Sequence, residues 1–409
     1  MISTATILII LTAIAAYSLF SKSLEKTVFT MPMIFTALGL LLGQFELAVV
    51  PKDLGNEVVH LIAEITLVIV LFTDSSRVRF KSLFAYSTIP VRMLTIGMPL
   101  TIMLGTLLAW WVSPEQHWTL AFLVAAILTP TDAALGQTVV TGNAVPSHLR
   151  QSINVESGLN DGLAFPVVLV AAILATTASG HTVEEAPENI VAFVSKQLTL
   201  GPLVGILVGL VSAKALDLSV SRNSATGIAQ GLFIVGTAVF AYFGAEFVGG
   251  NGFVAAFIGG LVFGNAVRSP TMFIHEFMEG EGQILTLVTF LIFGAVLAPV
   301  GLEHANIKTV ALAIGFLTIV RMLPIWISLI GTDLGVYEKL FLGWFGPRGL
   351  ASILFALLVL ERFELPGTEE ITACVVLTVL ISIVVHGASA MPLSRLIQRK
   401  VPERSEGAV

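Results

Sequence analysis

Apolar residues occupy thirteen separate stretches of this chain, and polar residues fall mainly between them. A helix that crosses the hydrocarbon core of a membrane needs about 20 predominantly apolar residues. The predicted spans are 2–20, 29–46, 58–75, 90–112, 118–140, 152–178, 190–216, 228–247, 251–265, 280–301, 307–331, 336–360 and 370–392. The ninth is short and rich in glycine, so twelve spans are an alternative. The pattern predicts an all-α polytopic membrane protein.

The positions of the basic residues test this count independently. With thirteen spans, the odd-numbered connections and the C-terminal tail share one side of the membrane. They carry fourteen of the 21 basic residues, namely Lys22, Lys26, Arg77, Arg79, Lys81, Arg150, Lys214, Arg222, Arg268, Lys339, Arg395, Arg399, Lys400 and Arg404. The other side carries Lys52, Lys196, Lys308 and Arg362, and the spans contain Arg92, Arg321 and Arg348. Because basic connections stay in the cytoplasm, we predict an external N-terminus and a cytoplasmic C-terminus, in a prokaryotic inner membrane.

The composition supports a membrane protein. Apolar residues make up 56% of the 409 residues and charged residues only 12%, with a mean hydropathy of +0.93. Soluble domains are about 25% charged. The single cysteine, Cys374, excludes an intramolecular disulfide. The first apolar stretch has no basic region before it, so we expect a retained span and not a cleaved signal peptide.

Two of the predicted spans are interrupted. The fifth contains Thr129-Pro130-Thr131-Asp132 and the twelfth contains Gly346-Pro347-Arg348-Gly349. Proline removes a backbone donor and clashes with the preceding helical turn. The breaks lie seven spans apart, as expected if spans 1–6 and 8–13 are inverted six-helix copies joined by span 7. Such a pair indicates a transporter site at the bilayer midplane; the alternative is ordinary kinks, as expected at Pro32, Pro99 and Pro166.

Polar residues cluster within the sixth span. Glu156 and Asn160, like Ser157 and Asp161, are four residues apart and therefore share one helix face. An ionisable group at membrane depth is costly, so its presence indicates a functional site. Carboxylate, hydroxyl and amide oxygens suit hard cations such as Na⁺, Li⁺ or K⁺, and Thr131 and Asp132 of the fifth span supply further oxygens.

The acidic residues suggest a mechanism of exchange. A buried carboxylate at Asp161 binds either a proton or a metal cation but not both, and this competition with alternating access gives cation/proton exchange. The alternative is that Asp161 makes only a structural hydrogen bond. Glu156 needs a basic partner, either Arg321 or Arg348. If the other arginine offsets Asp132, one net negative charge remains, which predicts electroneutral 1:1 exchange.

These residues resemble the NhaP-type branch of the monovalent cation/proton antiporters, which includes the eukaryotic sodium/proton exchangers. The resemblance extends over nearly the whole chain. It rests on Glu156-Ser157-x-x-Asn160-Asp161, Thr131-Asp132, Arg321 within Val320–Pro324, Gly346-Pro347-Arg348-Gly349, His386-Gly387 with Pro392, and the glycine-rich stretch Asn251–Asn265. Ala133 follows the aspartate where many members have proline.

The resemblance implies a thirteen-helix fold in two parts. Helices 1–3 (1–80) and 8–10 (221–302) would form a dimerisation scaffold, and helices 4–6 (81–180) and 11–13 (303–398) a mobile core. Helix 7 (181–220) would link them, and 399–409 would be a cytoplasmic tail. The resemblance assigns cation and proton binding to Asp161, Asp132, Thr131, Ser157 and Glu156, with Asn160, Arg321 and Arg348 in support. It also implies a homodimer that works by an elevator-like movement.

Three classes of function compete, namely an antiporter, a channel and an enzyme. The leading one is a Na⁺/H⁺ antiporter, also able to carry Li⁺, and the nearest alternative is a K⁺/H⁺ antiporter of the same mechanism. A passive cation channel is disfavoured because no TVGYG filter sequence occurs. An enzyme is disfavoured because HExxH and GxSxG are absent. We expect monovalent cations, protons and the lipid bilayer as partners, with no nucleic acid and no resident cofactor.

Several other polar residues are expected to be structural. Glu64, deep in the third span, is expected to make a hydrogen bond within the helix bundle, and His386 to be a packed, hydrogen-bonded residue. His148 and His275 are expected in cytoplasmic connections, where loop histidines usually have no function.

Overall fold

The computed structural model describes residues 4–24, 27–44, 55–78, 80, 88–136, 139, 144–181, 189–269 and 272–401. Regular structure in these ranges is helical and forms thirteen segments that match the predicted spans in order. They are α1 (Thr4–Leu24), α2 (Met31–Gln44), α3 (Gly55–Ser76), α4 (Thr88–Val112), α5 (Trp118–Leu128), α6 (Ser147–Ala178), α7 (Ile190–Ser221), α8 (Gly227–Phe247), α9 (Gly252–Ala266), α10 (272–303), α11 (Ile307–Ser328), α12a (Val336–Trp344) with α12b (Leu350–Arg362), and α13 (Thr368–Lys400).

The outer surface of the bundle is apolar. Eight of the described helices are long and apolar enough to cross a membrane, and α2, α5, α9 and α12b contain shorter apolar stretches. Large apolar side chains point outward from α1, α7 and α8, as Leu8, Leu207 and Phe240 illustrate. This surface would be costly in water and is expected in lipid, so the protein is an integral, multi-pass membrane protein.

Prolines shape the helices in different ways. Met93–Gly97 in α4 and Phe293–Leu297 in α10 form π-helical turns, and each precedes a proline by two residues. Pro166 lies within the continuous helix α6. Pro32, predicted as a kink, instead lies in the first turn of α2, where its missing N–H breaks no helical hydrogen bond.

Helix α9 is enclosed by α3, α7 and α8. Glycines let α7 approach closely. A Cβ on Gly205 or Gly209 would lie 2.6 or 2.5 Å from a backbone oxygen of α9, and one on Gly201 would lie 2.7 Å from the backbone oxygen of the residue that precedes α9. On α3, Glu64 accepts a hydrogen bond from the Tyr242 hydroxyl of α8, which confirms the predicted structural hydrogen bond.

Helix α6 lies against α9 and carries the polar cluster to this contact. Gly158 faces the Phe257 ring and Gly162 faces Val254. Further along, the rings of Phe165 and Phe253 are 5.3 Å apart. The Glu156–Asp161 segment therefore lies between α9 and the broken segments α5 and α12.

Candidate functional site

The first break follows α5. Pro130 has no N–H, so the helix ends at Leu128 and the chain resumes as a 3₁₀ turn at Ala133–Gly136. The Thr129 hydroxyl donates back to the Ala125 carbonyl at 2.6 Å. Between these points, the main chain of Thr131 has no helical partners.

Side chains of α6 replace those partners. The Thr131 N–H donates to Asn160 Oδ1 at 3.3 Å, and the Ser157 hydroxyl donates to the Thr131 carbonyl. Asn160 Nδ2 donates to Thr131 Oγ1 at 2.7 Å and to Glu156 Oε1 at 3.0 Å. The i, i+4 pair Glu156 and Asn160 therefore forms one hydrogen-bond network with Thr131 and Ser157.

Arg321 of α11 neutralises Glu156. Its Nη1 and Nη2 atoms donate to Glu156 Oε1 at 2.8 Å and Oε2 at 3.1 Å, and both residues are at most 2% exposed. The Thr131 hydroxyl donates to Glu156 Oε2 at 3.2 Å. Buried charges need such pairing. The sequence offered Arg321 and Arg348 as candidate partners of Glu156, and the structure has Arg321 in that position.

The second break separates α12a from α12b and is bonded to the first. The Asp132 N–H donates to the Pro347 carbonyl at 2.8 Å, and Asp132 Oδ2 accepts from the Leu350 N–H at 2.8 Å. The carboxylate therefore sits at the N-terminus of α12b, where the helix dipole favours negative charge. A Cβ on Gly349 would lie 2.1 Å from Asp132 Oδ2, so this approach requires glycine.

Arg348 is fully buried within the second break. Its Nε donates to the Leu128 carbonyl at 2.5 Å, and its Nη1 donates to the Gly346 carbonyl. The described residues contain no ion pair between Arg348 and Asp132, so the direct pairing considered from the sequence is not found. Arg348 instead stabilises the ends of both broken helices through their carbonyls.

Asp161 differs from the other predicted residues. It is 4% exposed, and its Oδ1 has no hydrogen-bond partner in the described part of the chain. A narrow crevice approaches the network and is lined by Thr131, Asp132, Gly136, Val139, Ile153, Ser157, Phe345 and Pro347. Hydrogen bonds thus join seven of the eight predicted residues to the two breaks, whereas Asp161 Oδ1 is an open oxygen, meaning one with no hydrogen-bond partner among the described residues.

Some contacts of the site could not be recognised from the sequence. Ser382 of α13 accepts from the Arg348 N–H at 2.7 Å, and His386 contacts the Trp344 carbonyl at 3.0 Å. The prediction of a packed, hydrogen-bonded His386 is confirmed. Ser382 has only one sequence signal, its position one turn before His386.

The prediction for His148 was wrong. Helix α6 begins at Ser147, earlier than predicted, so His148 lies in its first turn, 1% exposed. Its Nε2 is 2.7 Å from Glu338 Oε1 of α12a. The His275 side chain lies outside the described residues.

Comparison with known proteins places this architecture. The family model described as "Sodium/hydrogen exchanger, transmembrane" matches residues 7–396. The K(+)/H(+) antiporter NhaP2 of Shewanella oneidensis is 26% identical over 376 residues, covering 91% of this chain and 63% of that protein. The Na(+)/H(+) antiporter 2 of Zygosaccharomyces rouxii is 25% identical over 325 residues, covering 69% of this chain and 39% of that protein. The chain thus spans less than two thirds of the length of these relatives.

A solved structure has the same fold. The sodium proton antiporter MjNhaP1 of Methanocaldococcus jannaschii, at pH 8, matches with a TM-score of 0.76 and 21% identity, covering 96% of this chain and 98% of that one. The family model covers most of the chain, and the two broken, bonded helices lie within the matched region. The chain therefore belongs to the transmembrane sodium/hydrogen exchanger family.

Proposed function

We propose that this protein is a secondary antiporter that exchanges a monovalent cation for H⁺ across the membrane, and that it is not an enzyme. Relatives named as K(+)/H(+) and Na(+)/H(+) antiporters support the reaction class. We favour Na⁺, with Li⁺ also carried, and retain K⁺ as the alternative because both ions occur in the relatives' names.

The observation that carries this proposal is the open carboxylate oxygen of Asp161. Glu156 is neutralised by Arg321, and Asp132 accepts a hydrogen bond from α12b. Asp161 is buried, and its Oδ1 has no partner among the described residues. Such an oxygen binds a proton or, together with oxygens of Thr131, Ser157 and Asp132, a cation. Because the two compete, release of one accompanies uptake of the other.

The charge balance supports electroneutral 1:1 exchange. The buried site contains three acidic residues, Asp132, Glu156 and Asp161, and two basic ones, Arg321 and Arg348. The difference is one net negative charge, whether or not Arg348 touches Asp132. A proton or a single monovalent cation each neutralise that charge, so a full cycle moves no net charge.

The movement and assembly are also proposals. We propose that α4–α6 with α11–α13 move as a unit against a scaffold of α1–α3 and α8–α10, with α7 as a link. The scaffold would form a homodimer, with the N-terminus outside and the C-terminus in the cytoplasm. The contact of α6 with α9, where Phe257 and Val254 lie against Gly158 and Gly162, would be part of the boundary between these two units.

The test uses purified protein in liposomes with an imposed pH gradient and voltage held by potassium and valinomycin. Na⁺ and Li⁺ are added in turn, and K⁺ under a different voltage clamp. We expect cation-dependent collapse of the gradient, insensitive to voltage. Asp161→Asn should abolish it, whereas Glu115→Gln, the same charge removal at an exposed site, should not.

Three outcomes would contradict the proposal. Exchange retained in Asp161→Asn would remove Asp161 from the site. Cation conductance without coupled proton movement would favour a channel. Dependence on voltage would contradict the 1:1 stoichiometry while leaving the antiport itself intact.

A further inference from the structure

Two polar side chains of α13 hold the break in α12, and neither was among the eight predicted site residues. Ser382 is 0% exposed and His386 is 1% exposed. They lie one helical turn apart, so they share the face of α13 that meets the break. Between α12a and α12b, the N–H groups of Gly346 and Arg348 make no helical hydrogen bond to a described residue, and buried main-chain groups of this kind need other partners.

Each residue binds one end of the break. At the later end, Ser382 Oγ accepts from the Arg348 N–H at 2.7 Å. At the earlier end, His386 Nε2 lies 3.0 Å from the Trp344 carbonyl. A carbonyl oxygen can only accept, so His386 donates to Trp344 in the tautomer that carries the hydrogen on Nε2. In the other tautomer, Nδ1 donates to the Ser382 carbonyl, which lies 3.0 Å away. The two residues also contact each other, with Ser382 Oγ 3.2 Å from His386 Nδ1.

The groups fixed in this way are those that hold Asp132. The Pro347 carbonyl and the Leu350 N–H, both bonded to Asp132, lie on either side of Arg348. A shift of the chain at Arg348 moves both partners of Asp132. The position of the carboxylate therefore depends on α13, although its described hydrogen bonds are to α12 and not to α13.

We propose that Ser382 and His386 are positioning residues for the cation site, acting through the α12 break on Asp132. This inference rests on the proposed antiport function. It differs from a packing role in its consequence: loss of the hydrogen bonds weakens cation binding more than it weakens the fold.

The first experiment compares two serines of α13. Ser382→Ala removes the acceptor of the Arg348 N–H. Ser389→Ala is the matched control, because the hydrogen bonds described for Ser389 join it to the Trp344 indole at 2.9 Å and to the His386 carbonyl at 3.4 Å, and not to the main chain of the break. In the liposome assay, we expect Ser382→Ala to raise the apparent KM for the cation about fivefold to tenfold, the effect expected from one lost hydrogen bond. Maximal rate should change less, and Ser389→Ala should stay within about twofold of wild type.

The second experiment uses rescue at His386. His386→Leu fills the space but cannot donate to Trp344, so the apparent KM should rise. His386→Gln provides an amide N–H at similar reach, so its KM should lie closer to wild type. The melting temperature of each variant separates effects on the fold from effects on the site.

The outcomes are distinct. If the wild type exchanges ions but Ser382→Ala has an unchanged KM, the positioning role is overturned and the proposed function stands. The same holds if His386→Gln is as impaired as His386→Leu, or if only melting temperatures fall. If the wild type shows neither exchange nor cation-dependent thermal stabilisation, the proposed function fails, and the positioning inference fails with it.

Discussion

The two breaks are built differently although they sit side by side. At the first, side chains of α6 bind a threonine main chain, and the break offers its own side chains, Thr131 and Asp132, to the site. At the second, α13 binds the main chain, and the break offers backbone groups of Pro347 and Leu350. One break thus contains the side chains that we propose as ligands, and the other contains the backbone groups that orient Asp132.

This difference shows how a site can combine charge with order. A carboxylate at membrane depth needs donors that do not move when the ion leaves. Backbone groups meet that need, because they carry no titratable proton and lose no side-chain freedom. The comparison predicts that substitutions at the first break alter the charge balance of the site, whereas substitutions at the second break alter its geometry.

The largest effect is expected at Arg321. Arg321→Ala leaves Glu156 as an unpaired buried charge, and breaking such a pair costs about 3–5 kcal/mol of folding free energy. Arg348→Ala should cost less, because it leaves no paired carboxylate behind. Melting temperatures of the two variants in detergent provide the measurement. The claim that the first break depends on the Glu156–Arg321 ion pair would be contradicted by an undiminished melting temperature in Arg321→Ala. A greater loss of melting temperature in Arg348→Ala would contradict it as well.

The next effect tests shape at the second break. Gly349→Ala places a Cβ where Asp132 Oδ2 now lies, and overpacking of this kind costs about 1–3 kcal/mol. We expect a lower melting temperature and loss of exchange in liposomes. The control is Gly136→Ala next to the first break, where a Cβ meets nothing within 4 Å. Equal effects of the two substitutions would show that close approach does not distinguish the breaks.

The smallest effect is expected away from both breaks. Glu115, between α4 and α5, accepts a hydrogen bond from Lys308 Nζ at 2.5 Å, which lowers the pKa of this carboxyl below its ordinary 4.5. A lowered pKa in the folded state contributes stability above pH 4.5, and this contribution is lost as the pH falls through the folded-state value.

The pair is half exposed, so Glu115→Gln should lower the melting temperature only slightly. The difference should be constant between pH 6 and 9 and vanish in acid. Thermal melts of both proteins across this pH range and at acid pH, below the folded-state pKa of Glu115, check this difference in melting temperature. If Glu115→Gln lowered the melting temperature as much as Arg321→Ala, solvent exposure would not explain the difference between the Glu115–Lys308 and Glu156–Arg321 pairs.

The sequence predicted the thirteen segments because each contains a mainly apolar stretch, and it located both breaks because proline and glycine mark them. Helix ends were less accurate. Helix α13 was predicted over 370–392 but extends to Thr368 and Lys400, because polar residues continue the helix beyond the apolar stretch. The interruption of α11 at Thr318 was not predicted, since no proline or glycine occupies that position.

The site was predictable where residues are close in sequence. The spacing from Glu156 to Asp161 fixes a common helix face, and the structure brings those residues together. The choice between Arg321 and Arg348 was not predictable, since it depends on how α11 packs against α6. Ser382 was not found because a buried serine in a helix has no distinctive pattern, and only its contact with Arg348 reveals a role.

The enclosure of α9 has a consequence for how the chain enters the membrane. Its 15 residues span only about 22 Å, less than the roughly 30 Å of the hydrocarbon core. Eleven of these residues are buried, largely against α3, α6, α7 and α8, which are synthesised first. Insertion of α9 into lipid as an isolated helix is therefore expected to be unfavourable. We expect its insertion to require the earlier helices, so that biogenesis is cooperative at this point of the chain.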